Sequence, residues 1–332
     1  MPASRNKPAA RGGIDLGGTK IEAIVVDAEN TVLGTARRPT PTTGGPPDVA
    51  AQLAAAVRDA AHAAGLETAQ LSGVGVGSPG IVDEAGGTVA SAGNLPGWGG
   101  TFELGPGLSK DLGTPVFVSN DVRVATNAEY RLGAGKQYKS LIGVFWGTGI
   151  GGGLILNGKP WLGRGGAGEI GHTVVKLGGR RCPCGRRGCV EAYAGRAAME
   201  AQARKRHRKG EKTILLKLMK EHGRTRMTSA IWERALKQED KLATDLIDEA
   251  VEALGAGIAS AINLLDLEAV IIGGGLGVRF GQRFTERIAR AMHPHLFNDH
   301  RPPDVRLAAL GDLGGALGAS LLARDKRRLN TR

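Results

Sequence analysis

The chain has 332 residues, 41% hydrophobic and 23% charged, with 53 glycines and 3 cysteines. No apolar run approaches the roughly 18 residues that cross a bilayer, and the N-terminus MPASRNKPAARGG has no apolar core for a secretory signal. A membrane span and a disulfide scaffold are therefore excluded, a cytoplasmic protein is expected, and residues 1–11 read as a disordered tail.

The length exceeds one ordinary domain, so two are expected. GIDLGGTKIEAIVVDAENTVLG reads as strand, Gly turn, strand, turn and strand, and the breaker-rich TPTTGGPP follows at 40–47. Val49, Leu53, Val57 and Ala60 recur at helical spacing, and Gly65 can end that helix. LSGVGVGSPGIVD is a buried strand running into a Gly-Pro turn. PVFVSND (115–121) is a short strand with polar residues at its C-terminal end, followed by a helical stretch. At 141 the opening layout returns in LIGVFWGTGIGGGLILNGKPWLG, which suggests an internal duplication. Residues 197–254 read as mostly helical, IASAINLLDLEAVIIGGGLG as helix then strand, and GGALGASLLARDKRR as a last helix. Strands alternating with helices indicate α/β layers.

Two stretches match G-x-G-x-x-G, at Gly75, Gly77, Gly80 and at Gly147, Gly149, Gly152. A dinucleotide site needs a helix opening at the glycines, whereas LILNGKPW follows the second and Pro79 interrupts the first. Two glycine hairpins, DLGGTK (15–20) and GTGIGGG (147–153), fit phosphate binding better, because glycine backbone can approach a ligand and aim N–H groups at its oxygens. Gly17, Gly18, Thr19, Lys20, Thr148 and Gly149 are the candidates, with Asp15 suited to magnesium directly or through water. Cys182, Cys184 and Cys189 form C-x-C-x4-C after His172, the complement of a closed tetrahedral zinc site. With every position filled by protein, that metal would be structural. Glu169 lies three residues before His172 and Glu191 two after Cys189, so the metal loop would hold two carboxylates for the hydroxyls of a sugar. Asn120 and Asp121 end a strand where open α/β sheets carry functional groups, although an Asn-Asp turn capping the next helix fits equally well.

These pieces resemble a sugar kinase of the ROK family, the bacterial glucokinase branch especially. DLGGTK, GVGVGSPGIVD (73–83), NLPGW (94–98), SND (119–121), GTGIGGG, GEIGH (168–172), CPCGRRGCVEAYAG (182–195) and IIGGGLG (271–277) run in family order over nearly the whole chain. The resemblance implies a two-domain actin-like, ribonuclease H-like fold with an interdomain active-site cleft. The expected domains are a small one at 12–122 plus 316–332 and a large one at 123–315, with the zinc loop at 172–189. It implies ATP-dependent phosphorylation of a hexose, glucose foremost, at the 6-hydroxyl. Asp121 would be the general base, and Asn94, Asn120, Glu169, His172 and Glu191 would hold hydroxyls. The two hairpins would hold phosphates, and Gly274 and Gly275 would lie near the adenosine. ATP, Mg2+ and a structural Zn2+ are the implied cofactors, and a homodimer or homotetramer is the family habit. GDLGG at 311–315 departs from the more usual asparagine- or aspartate-rich turn.

Alternatives remain. Mannose, fructose or an N-acetylhexosamine could replace glucose. A sugar-responsive transcriptional regulator of the same family would need a winged DNA-binding domain ahead of the first strand, where only about a dozen residues stand. The net charge of +12 is local: residues 176–226 carry sixteen Lys and Arg against Glu191, Glu200, Glu211 and Glu221, and the rest of the chain balances. Few aromatics accompany this patch, so a solvated helical face is favoured over a nucleic-acid surface, and inorganic polyphosphate is an alternative phosphoryl donor.

Overall fold

The computed structural model describes residues 10–93 and 95–330, with side chains through Asp325. The chain divides into two compact units, Met1–Leu132 with Leu310–Arg332, and Gly133–Ala309.

In the first unit β1 (Arg11–Leu16), β2 (Lys20–Val26) and β3 (Val32–Pro39) form the expected antiparallel meander. Ile21, Ile24, Val25 and Val26 are fully buried, which suits β-branched side chains on a strand covered on both faces. Helix α1 (Pro46–Ala63) opens on prolines that need no N–H partner there, and buries Val49, Leu53, Val57 and Ala60. Next come β4 (Val74–Ser78), a small sheet of β5 (Ile81–Asp83), β6 (Thr88–Ala90) and β7 (Thr101–Phe102), then α2 (Leu104–Leu112) and β8 (Val116–Asn120). β4 lies parallel to both β1 and β8, giving the order β3-β2-β1-β4-β8. Helix α3 (Asp121–Leu132) starts directly at the strand end.

The second unit repeats this plan. β9 (Leu141–Trp146), β10 (Ile150–Leu156) and β11 (Lys159–Trp161) form an antiparallel meander. A tight turn at Ile170–His172 and the short α4 (Glu191–Ala194) flank the cysteine loop. The helices α5 (Arg196–Arg208), α6 (Leu215–Glu221), α7 (Ser229–Lys237) and α8 (Lys241–Leu265) follow. β12 (Ala269–Gly273) lies parallel to β9 and to β13 (Asp304–Leu307), so the order is β11-β10-β9-β12-β13. The suggested duplication is thus real at the level of topology: strands three, two, one, four and five pair in the same senses in both sheets. Helix α9 (Gly274–Met292) follows β12, and neither it nor β13 is signalled by the sequence. Leu276, Phe280, Phe284, Ile288 and Met292 are buried at four-residue spacing along α9, a stripe that the glycines around it disguise.

The last helix, α10 (Gly314–Asn330), returns to the first unit. It packs directly on the strands, because a Cβ on Gly13 or Gly75 would overlap the backbone of Ala316 or Ala319. The expected domain cuts at 122/123 and 315/316 differ from the observed ones. Helix α3 packs on α10, so the whole of α3 and the turn Gly311–Leu313 stay with the first unit. Arg11 is also not part of a tail. It is buried in β1, with Nη2 2.9 Å from Asn30 Oδ1, while residues 1–9 lie outside the described residues.

Each unit has its own core, centred on Ile14, Leu53 and Val76 in the first and on Trp146, Trp232 and Leu246 in the second. The basic run of 204–209 forms the end of α5. Arg206 pairs with Glu211 and Asp245, whereas Lys205, Arg208 and Lys209 are exposed. Among the described residues no helix is long and apolar enough to cross a membrane.

Candidate active site

In the first unit the chain leaves β1 at Asp15 and Leu16 and turns through Gly17, Gly18 and Thr19 into β2. Gly17 N–H bonds to Lys20 O at 3.0 Å, closing the hairpin. The turn is fastened from outside by Thr40, whose hydroxyl donates to Gly17 O at 2.6 Å and whose N–H donates to Thr19 O at 3.2 Å. Gly18 and Thr19 are exposed. Lys20 is not simply directed outward: its Nζ lies 3.2 Å from Glu22 and 3.4 Å from Asp312, and Arg37 also grips Glu22 at 2.7 Å. Asp312 belongs to the atypical GDLGG turn, so that departure supplies a carboxylate beside the first glycine hairpin.

Asp15 carries the electrostatic signature of this half. Burial, and then the charge of Asp121, push its carboxyl up to about 6, against an opposing pull from Lys20. Two carboxylates from adjacent parts of the sheet's C-terminal edge therefore sense each other. Asn120 Oδ1 accepts from Val122 N at 3.1 Å and Arg123 N at 3.3 Å, and Asp121 Oδ1 accepts from Val122 N at 2.9 Å. The helix-capping reading of Asn120 holds, and it fixes where Asp121 stands. Asn94 lies outside the described residues.

In the second unit Thr148 and Gly149 form the turn between β9 and β10, with Gly147 N–H to Gly149 O at 3.0 Å. Glu191 reaches this turn: its Oε2 accepts from Ile150 N at 2.9 Å, and a Cβ on Gly149 would overlap that carboxylate. A side chain at 149 would have to push the Glu191 carboxylate aside. Glu169 is exposed one tight turn ahead of His172, whose N–H bonds to Glu169 O at 3.0 Å. Gly274 and Gly275 form the N-terminus of α9 after β12.

His172, Cys182, Cys184 and Cys189 place their ligand atoms within 4.8 Å of one another. Cys182 Sγ is 3.7 Å from His172 Nδ1, and Cys184 Sγ is 3.8 Å from Cys189 Sγ. A tetrahedral zinc with bonds of about 2.3 Å to sulfur sets ligand atoms about 3.8 Å apart, so the donor set and its spacing fit. Burial pushes the Cys182 thiol up to about 12, whereas the Arg186 backbone holds Cys184 down to about 7. Such a cluster is best satisfied by a cation that keeps all three thiolates charged. Nδ1 lies against the Cys182 thiol, which leaves Nε2 as the second ring nitrogen. Glu191 Oε1 is 3.8 Å from Cys182 Sγ, so this carboxylate joins the cysteine loop to the glycine turn.

Two contributors escaped the sequence. Thr40 sits in a breaker-rich link with no periodic signal. Arg196 donates from Nη2 to Thr148 Oγ1 at 2.7 Å and from Nη1 to Met227 O at 2.9 Å, yet in the sequence it is one of sixteen Lys and Arg in a basic stretch.

The ROK family model matches residues 11–326. The chain is 35% identical over 319 residues to a glucokinase of Streptomyces coelicolor, covering 94% of this chain and 97% of that one. It is 32% identical over 321 residues to a glucokinase of Thermotoga maritima, covering 95% and 97%. A ROK glucokinase of Streptomyces griseus, solved with glucose and AMPPNP, superposes with a TM-score of 0.80 at 33% identity, covering 95% of this chain and 99% of that one. The paired sheets with their glycine turns and metal-ligand loop are thus the actin-like fold of sugar kinases, and the chain belongs to the ROK family.

Proposed function

We propose that the protein is an ATP-dependent hexokinase with glucose as its foremost acceptor. It moves the γ-phosphoryl group of ATP to the sugar 6-hydroxyl, releasing ADP and hexose 6-phosphate. The observation that carries this reading is Glu191, which links a cluster suited to a closed metal site with a turn suited to phosphate. Glu169, Glu191 and the outward nitrogen of His172 would accept from or donate to the ring hydroxyls, with Asn94 and Asn120 on their neighbours. Asp121 would take the 6-hydroxyl proton as the oxygen attacks phosphorus and the bond to the β-phosphate oxygen breaks. Backbone N–H groups of Gly17–Thr19 and Thr148–Gly149, with Lys20, would hold phosphate oxygens, and Gly274 and Gly275 would flank the adenosine. A magnesium ion, when bound with the nucleotide, supplies charge neutralisation, and the ionised carboxylate of Asp15 suits it. His172, Cys182, Cys184 and Cys189 would hold a structural zinc. A cytoplasmic homodimer or homotetramer completes the reading, measurable by light scattering.

The experiment is a panel of glucose, mannose, fructose and N-acetylhexosamines with ATP and magnesium. Glucose is expected to give the highest kcat/KM, and a panel without any phosphorylated hexose would defeat the proposal. Exposed Lys205, Arg208, Lys209 and Lys212 favour one second reading, inorganic polyphosphate as donor. Polyphosphate-supported turnover that collapses between low and high salt would establish it, and ATP-only turnover would remove it.

A further inference from the structure

The segment 191–197 does more than follow the metal loop. Its residues fasten the turn between β9 and β10 on every side. Glu191 accepts from Ile150 N at 2.9 Å, and Ala194 O accepts from Trp146 Nε1 at 2.7 Å. At the start of α5, Arg196 N–H donates to Gly147 O at 3.1 Å and Ala197 N–H to Thr148 O at 3.0 Å. The Arg196 guanidinium, steadied by Met227 O, fixes the Thr148 hydroxyl at 2.7 Å. The segment hangs from the metal cluster through Cys189, two residues before Glu191, and through the 3.8 Å approach of Cys182 Sγ to Glu191 Oε1.

We infer that Glu191 and Arg196 are positioning residues for the phosphate-binding turn, so that the metal loop sets nucleotide affinity as well as sugar affinity. The inference rests on nucleotide being the ligand of that turn. A carboxylate that only touched sugar would have no need to cap Ile150 N–H, nor to lie so close to Gly149 that a Cβ there would push it aside. Displacing Glu191 frees that N–H and lets the turn relax away from the geometry in which its donors converge.

The test measures binding of magnesium and a non-hydrolysable ATP analogue by calorimetry in the absence of sugar. Glu191→Ala and Arg196→Met are each expected to weaken nucleotide binding by about tenfold, the scale of one lost charge-assisted hydrogen bond. Glu191→Gln retains an oxygen that accepts from Ile150 N–H, so it should bind nucleotide within about threefold of the parent while losing sugar affinity. Parent protein treated with a strong zinc chelator should lose nucleotide affinity as Glu191→Ala does. Nucleotide affinity within about twofold of the parent in both Glu191→Ala and Arg196→Met overturns the inference. If Glu191→Ala does not fold, Arg196→Met and Glu191→Gln decide it. Hexose titrations on the same samples report separately on the sugar-kinase reading, since nucleotide coupling can survive when no hexose binds.

Discussion

The two units share one sheet plan and one device, a glycine turn between their first two strands, but they fasten that turn differently. In the first unit Thr40, at the end of the same meander, holds Gly17 and Thr19, and the Asp15 carboxyl nearby is raised by burial and by the charge of Asp121. In the second, the turn hangs on a segment delivered by a loop with four side chains suited to hold a metal ion. The contrast separates two demands. On the proposed function, Asp15 as a magnesium ligand needs a carboxylate whose charge is adjusted, which a sheet edge can supply through burial. Recognition of several hydroxyls needs carboxylates fixed in direction, which a glycine-rich loop cannot supply without a cross-link.

Breaking the first half at its base should have the largest effect. Asp121→Asn keeps the oxygen that accepts from Val122 N–H and should fold normally, yet kcat should fall about a thousandfold, the scale of a lost general base. Near-parental turnover would remove Asp121 from the chemistry. Breaking the anchor of the second half comes next. Cys182→Ser should abolish stoichiometric zinc in elemental analysis and weaken glucose binding by at least about tenfold. Full zinc content in that variant would mean that the cluster is not the metal site.

Asp15 sharpens the comparison through pH. Its carboxyl is raised from 3.8 to about 6 in the fold, so the folded state favours the protonated form. That contribution is fully present below the ordinary value and is lost as pH rises through about 6. Asp15→Asn, which stays neutral, should therefore be more stable than the parent by about 2–3 kcal/mol at pH 7.5 and no more stable near pH 4, in denaturant titrations. It should lose magnesium-dependent turnover all the same. A stability difference that does not change with pH would show that the Asp15 carboxyl is not raised. The smallest effect is expected at Thr40. Thr40→Val should cost about 1 kcal/mol and raise the KM for ATP without changing the KM for sugar.

Much of this site was legible because its chemistry is local in the chain. C-x-C-x4-C with a histidine ahead of it, and carboxylates two and three residues from those ligands, need no long-range knowledge to suggest a metal-braced polar pocket. Repeating strand–Gly turn–strand layouts announced the paired sheets in the same way. The hidden parts were those whose signal is diluted or distant. The stripe of α9 lies among glycines, including Gly281 at a φ of 65° inside the helix, and the domain cut depends on α3 meeting α10 across about two hundred residues of sequence.

The sequence by itself determined the residue types and their spacing: a thiol-rich loop, two glycine hairpins, and an Asn-Asp pair at a strand end. Only the tertiary structure decided what holds them. Lys20 is engaged by Glu22 and Asp312, Glu191 caps Ile150, and Arg196 fixes Thr148. The physical reason is that spacing constrains neighbours along the chain, whereas hydrogen-bond partners are chosen by packing, after the chain has brought distant donors and acceptors within about 3 Å.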